Sequence, residues 1–199
     1  MSTVSMMPMT AASTGESFRP EAMRAELPDT SLLAMTALAS WAMGDAWLEG
    51  LPVDAAVPMA FEQVGCAQAA LDMANAYAKE RFAFGRPIGS FQAIKHRLAD
   101  AFLAVERASA LAYFATLTVA EDDPRRTVAV SMAKSAAGDC QRLLTRDGLQ
   151  LHGGVGYTWE HDLHLWLKRA AMSELVFGTS AWHRARLARA MGLVAEEAR

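Results

Sequence analysis

Residues 58–91 read PMAFEQVGCAQAALDMANAYAKERFAFGRPIGSF, and their spacing decides the fold class. Ala60, Val64, Ala67, Leu71, Ala74 and Ala78 recur at intervals of 4, 3, 4, 3 and 4, the apolar stripe of a long helix that starts after Pro58. That helix is expected to end near Phe84-Gly85. Gly85-Arg86-Pro87-Ile88-Gly89 reads as a turn, with Ser90 placed to cap a second helix. The second helix carries Phe91, Ile94, Leu98, Phe102, Val105 and Ala112 inward and runs to about Ala120.

Outward toward the C-terminus the pattern repeats. Asp123-Pro124 reads as a cap followed by a helix-opening proline, and Ala129, Ala133, Ala136, Cys140 and Leu143 renew the same spacing. Small residues along that stripe imply close helix contact. His152-Gly153-Gly154-Val155-Gly156 cannot prolong this helix, Trp159 to Ala171 resumes an apolar period, and a last helix starts at about Ser180. Long helices joined by short connections predict an all-α, antiparallel up-and-down bundle with no sheet. Outward toward the N-terminus, residues 1–29 are rich in Ser, Thr, Met and Pro and read as a leader, while 30–57 fit a short helix or a strand pair. The expected organisation is 1–56 leader and short segment, 57–193 bundle and 194–199 tail.

Composition agrees with a packed helical domain: 199 residues, 52% hydrophobic and 21% charged. Nineteen Lys and Arg against 22 Asp and Glu leave a net charge of -3, without the basic excess of a nucleic-acid binder. Cys66 and Cys140 have no metal-ligand spacing and read as small core residues of a reducing compartment. The uncharged run Thr30–Gly44, at 15 residues, falls short of the roughly 20 needed to span a bilayer. A cytoplasmic protein with no membrane or nucleic-acid partner is expected.

Several residues invite chemistry and have a plainer reading beside it. His161 and His164, flanked by Glu160 and Asp162, could ligate a metal, but no second cluster matches them and a polar helix start explains them. Gly153-Gly154-Val155-Gly156 could cradle a phosphate, or be an interhelical turn. Arg81, at the end of the first helix, could bind an anion or offset the helix dipole. Glu62, Asp72, Asp100 and Asp139 fall off the apolar stripes and fit solvated faces.

Taken together, Tyr77–Asp100 (YAKERFAFGRPIGSFQAIKHRLAD) resembles the signature of the acyl-CoA dehydrogenase C-terminal helical domain. Asp147–Tyr157 (DGLQLHGGVGY) and Phe177–Ala181 (FGTSA) resemble its second and third blocks, and the likeness covers about residues 57–193. The resemblance implies a four-helix bundle and FAD-dependent α,β-dehydrogenation of acyl-CoA thioesters, with FAD as cofactor and acyl-CoA as substrate. It implies that Arg81 faces the FAD pyrophosphate across a subunit interface, with Phe84 and Gln92 on the same arm. Gln150, Gly153 and Gly154 would form a second FAD segment, and Thr179 a hydroxyl contact in the third.

The chain also departs from the family pattern. The usual catalytic Glu precedes Gly-Thr in the third block, and Phe177 stands there, so no catalytic residue is assigned. The alternative position for the base falls on Ala55; Asp54 and Glu174 are nearby but unmatched, and Ala181 replaces a usual Gln contact. Residues 1–56 offer no counterpart of the family's other two domains, so the chain reads as shortened at its N-terminus. The stretch from Trp159 to Arg184 looks like a bacterial branch that acts on steroid or other bulky acyl-CoA thioesters and often pairs unlike subunits. The expectation is a homo-oligomer, or a hetero-oligomer in which a full-length subunit completes the FAD site. A non-catalytic interaction module or a truncated remnant is the rival reading, and a carboxylate-bridged metal bundle the third, disfavoured by the absence of paired Glu-x-x-His motifs.

Overall fold

A computed structural model describes residues 53–194. The leader, nearly all of the 30–57 segment and the last five residues of the tail lie outside the described residues. After a 3-10 turn at Val53–Ala55 the elements are α1 (Ala56–Glu80), β1 (Phe82–Ala83), β2 (Arg86–Pro87), α2 (Gln92–Ala120), α3 (Arg126–His152), α4 (Leu163–Leu175) and α5 (Ser180–Ala190). Helices α1 to α4 make the expected four-helix bundle, and α5 packs on α3.

Helix α3 runs through the middle, against α1, α2 and α5. Ala129, Val130, Ala133, Ala137 and Cys140 are wholly buried on it, and they meet Ala60, Ala67 and Ala70 of α1 and Ala101, Val105, Ala108, Ala112 and Ala115 of α2 in one core. Alanine at so many contact positions lets the helix axes approach closely, and sparse large side chains such as Leu144 and Leu163 fill what remains. Full burial of one such leucine contributes about 1.5–3 kcal/mol. Pro58 lies in the first turn of α1, where its missing N–H costs no helical hydrogen bond.

The structure corrects the expected details at several places. The turn after α1 contains a small antiparallel ladder, Phe82 opposite Pro87 and Ala83 opposite Arg86, so a sheet of two residues per strand exists. Phe84 (φ 53°) and Gly85 (φ 77°) both take positive φ at its tip, the backbone of a tight hairpin whose twist suits the flanking strands. This closes α1 at Glu80 rather than near Phe84. Second, Ser90 does not cap α2: its hydroxyl donates to Pro87 O (2.7 Å), and Phe91 is the flanking residue. Third, Phe102 points outward at 52% exposure, because the buried stripe of α2 is the narrower Ala101, Val105, Ala108, Ala112, Ala115 and Thr118.

Leu103 (65%), Tyr113 (58%) and Leu117 (59%) are exposed on α2 as well. By length and composition α2 is also apolar enough to cross a membrane, although no single uncharged run in it approaches that length. Asp123 does not cap α3 as expected: the helix opens at Arg126 with Arg125 as the flanking residue and no side-chain cap, and the Asp123 carboxylate accepts from the Arg125 backbone N–H (2.7 Å) in the turn ahead of it.

Candidate functional site

The end of α1 presents Arg81. Its backbone N–H closes the helix on Tyr77 O (2.9 Å), and its carbonyl accepts from Ile88 N–H (2.8 Å), which ties the hairpin to the helix. The guanidinium is exposed and makes no ion pair among the described residues. Phe84, at the hairpin tip, is 95% exposed. Arg86 lies over the Phe91 ring (4.1 Å), and Gln92 opens α2 with its amide beside His96 Nε2 (3.3 Å). The arm is thus a projecting surface of two cations, aromatic rings and an amide.

The end of α3 presents the second segment. Gln150 is exposed and lines a recess of about 270 Å³ with Arg97, Asp100, Leu143, Arg146 and Asp147. Arg146 Nε donates to the buried Asp147 carboxylate at 3.0 Å. Gly153 ends the helix at φ 60°, ψ -140°, a conformation that glycine alone adopts without strain. A Cβ at Gly153 or Gly154 would meet nothing within 4 Å, so at Gly154 the chain's own packing does not demand glycine. The bare backbone there is open to close approach from outside. An unpaired arginine and an open glycine turn suit the oxygens of a pyrophosphate, so the residues present fit FAD.

These two segments share one end of the bundle, joined where the Tyr77 ring of α1 stacks on His152 of α3 (4.6 Å between centroids). Thr179 is elsewhere. Its hydroxyl caps α5 by accepting from Trp182 N–H (3.2 Å), beside the middle of α3 at Gly138, about 22 Å of helix from the glycine turn. Within one chain, then, Arg81, Phe84 and Gln92 form one arm, Gln150, Gly153 and Gly154 lie at the same end, and Thr179 stands apart.

Phe177 is half-buried against the core at φ 57°, and its carbonyl receives His183 Nε2–H (3.0 Å). The neighbouring carboxylate is fully engaged: Glu174 accepts from Ser180 N–H (2.8 Å), Ser180 O–H (2.6 Å) and Gln63 Nε2 (3.1 Å), with Arg142 at 3.3 Å. It fixes the α4–α5 turn and has no geometry of a free base. Asp54 has one carboxylate oxygen enclosed without a partner among the described residues. Among the described residues no group of three metal-ligating side chains exists. His161 instead caps α4, its Nδ1 accepting from Leu163 N–H at 3.2 Å.

A polar layer lay hidden within the helical period. Lys134, wholly buried among alanines, donates to Ser173 O (2.9 Å) and Glu174 O (3.3 Å) and so satisfies the end of α4. Burial pulls its pKa down to about 8. His183 is held down to about 3, first by burial and then by the Lys134 charge, and is neutral. Glu62 pairs with Arg169 and accepts from Ser173 O–H (2.8 Å), and Asp139 pairs with Arg184 (2.7 Å) and Arg142. These two carboxylates are therefore interhelical ties rather than solvated faces. Burial also raises the Cys66 and Cys140 thiols, to about 11 and about 12, which leaves both as inert core residues.

A family profile described as acyl-CoA dehydrogenase, C-terminal domain, matches residues 54–192. The chain belongs to this family. Among curated relatives, acyl-CoA dehydrogenase IpdE2 of Mycolicibacterium smegmatis is 43% identical over 130 residues, covering 65% of this chain and 40% of that protein. The solved ChsE4-ChsE5 complex from Mycobacterium tuberculosis includes a chain 28% identical, with a TM-score of 0.66 over 70% of this chain and 38% of that one. A solved steroid ACAD is 30% identical, with a TM-score of 0.65 over 71% of this chain and 39% of that one. The chain therefore spans about two-fifths of the length of these relatives, and its similarity to them lies in their C-terminal domain.

Proposed function

We propose that this chain is a subunit of an FAD-dependent acyl-CoA dehydrogenase that supplies the Arg81 arm and the 150–154 turn to a cofactor shared with a full-length partner. The observation that carries this reading is the pairing, at one end of the bundle, of an exposed arginine that makes no ion pair among the described residues and a glycine turn open to outside approach. Bound FAD supplies the redox chemistry of α,β-dehydrogenation of an acyl-CoA thioester. Arg81 binds and orients the pyrophosphate, Gly153 and Gly154 admit it to the backbone, Gln150 adds a hydrogen bond, and Phe84 and Gln92 exclude water from the arm. Thr179, distant within the chain, serves a neighbouring part of the assembly. The proton of the substrate passes to a carboxylate of the partner subunit, since Phe177 cannot accept it.

Exposed Phe102, Leu103, Tyr113 and Leu117 on α2 support a partner that covers this face. Similarity to the ChsE4-ChsE5 complex and to a steroid ACAD supports a heteromer acting on steroid or other bulky acyl-CoA thioesters. The same exposed face and the Phe177 substitution also suit the second reading, a non-catalytic interaction module. A visible absorption spectrum of the chain, purified alone and with a co-expressed full-length acyl-CoA dehydrogenase subunit, separates the two. Flavin bands near one equivalent in the complex are expected; a colourless complex leaves the interaction module.

A further inference from the structure

His152 has a role that neither its sequence neighbourhood nor the family match assigns. It is 3% exposed at the last turn of α3. Its Nδ1 lies 2.8 Å from Gly148 O and so carries the ring proton as donor, which leaves Nε2 an acceptor, enclosed and without a partner among the described residues. A buried acceptor left unpaired is costly, so the ring's place rests on its packing rather than on that nitrogen. Two other rings meet it. Tyr77, one turn before Arg81, stacks on it at 4.6 Å and 29°, and His161, which caps α4, meets it edge-on at 4.5 Å and 64°. Tyr77 O also receives the Arg81 backbone N–H. One imidazole thus contacts the helix end that carries Arg81, the helix end that carries the glycine turn, and the start of α4.

We propose that His152 is a positioning residue whose ring, packed on Tyr77 and His161, sets the spacing between Arg81 and the Gly153-Gly154 turn. Its purpose rests on the FAD reading, and its existence on the chain's own geometry. Two variants separate ring from hydrogen bond. His152→Asn keeps a donor for Gly148 O and loses the ring; His152→Phe keeps the ring and loses the donor. In amide NMR maps of the full chain, His152→Asn is expected to shift Arg81 and Phe82 across the stack as well as residues 153–156, with Ala133 and Ala137 unmoved, while His152→Phe leaves Arg81 in place. Shifts confined to residues 148–156 in His152→Asn, or equal Arg81 shifts in both variants, overturn the proposal. In the FAD-binding complex His152→Asn is expected to weaken FAD affinity by about tenfold, near the upper end of what one aromatic stack contributes, and His152→Phe to restore it. If the wild-type chain takes up no FAD in any assembly the FAD reading fails, and the amide maps still decide whether the ring sets the spacing.

Discussion

Gly138 shows how much one side chain can depend on another's absence. A Cβ built there would collide with the Glu174 carboxylate and stand 2.8 Å from Ser180 Cβ. Gly138→Ala is therefore expected to cost about 2–4 kcal/mol despite alanine's better helix propensity, read as a lower urea midpoint with unchanged slope. His183 gives a pH dependence. Its folded pKa of about 3 lies below the ordinary 6.5, so between those values the unfolded chain binds more protons and stability rises with pH. Stability should fall as the pH drops from 6.5 toward 3, and His183→Gln, which keeps a donor for Phe177 O, should flatten that fall in urea titrations at pH 4.5 and 7. Neither residue stood out in the sequence. Gly138 and Lys134 sit inside an alanine stripe whose period says where they point and nothing of what meets them.

Among elements, the helices were legible because their 4-3 spacing is a direct record of burial. Ala60 to Ala78 and Ala129 to Cys140 are buried as read. The ends were less legible. A cap depends on which N–H the side chain reaches: the Asp123 carboxylate stops at Arg125 N–H ahead of α3, and the Ser90 hydroxyl turns to Pro87 O. Phe102 was misplaced because α2 has apolar residues on two faces, and the alanine face won the core. The other face yields a prediction. Leu103→Glu with Leu117→Glu should leave far-UV circular dichroism and the unfolding midpoint nearly unchanged and abolish assembly with a partner, seen as a shift to the monomer mass in light scattering. Retained assembly would place the interface on another face.

For the whole molecule, the arrangement is a bundle whose one end presents two separate segments, which the proposed function assigns to an extended anionic ligand. The segments come from the ends of α1 and α3, far apart in sequence, and only packing brings them together. Motif resemblance named Arg81, Gln150 and the glycines; the Tyr77–His152 contact that joins them leaves no local pattern, since it depends on the relative rotation of two helices. Thr179 lies beside the middle of α3, apart from the other two segments within one chain, as a third segment read from motif order alone. The most direct test is the equilibrium affinity of the co-purified complex for FAD, wild type against Arg81→Ala, by fluorescence titration. Loss of a charge-assisted partner to the pyrophosphate predicts an affinity about ten- to a hundredfold weaker, with the chain's unfolding midpoint unchanged. Equal affinities would remove Arg81 from the site and contradict the account.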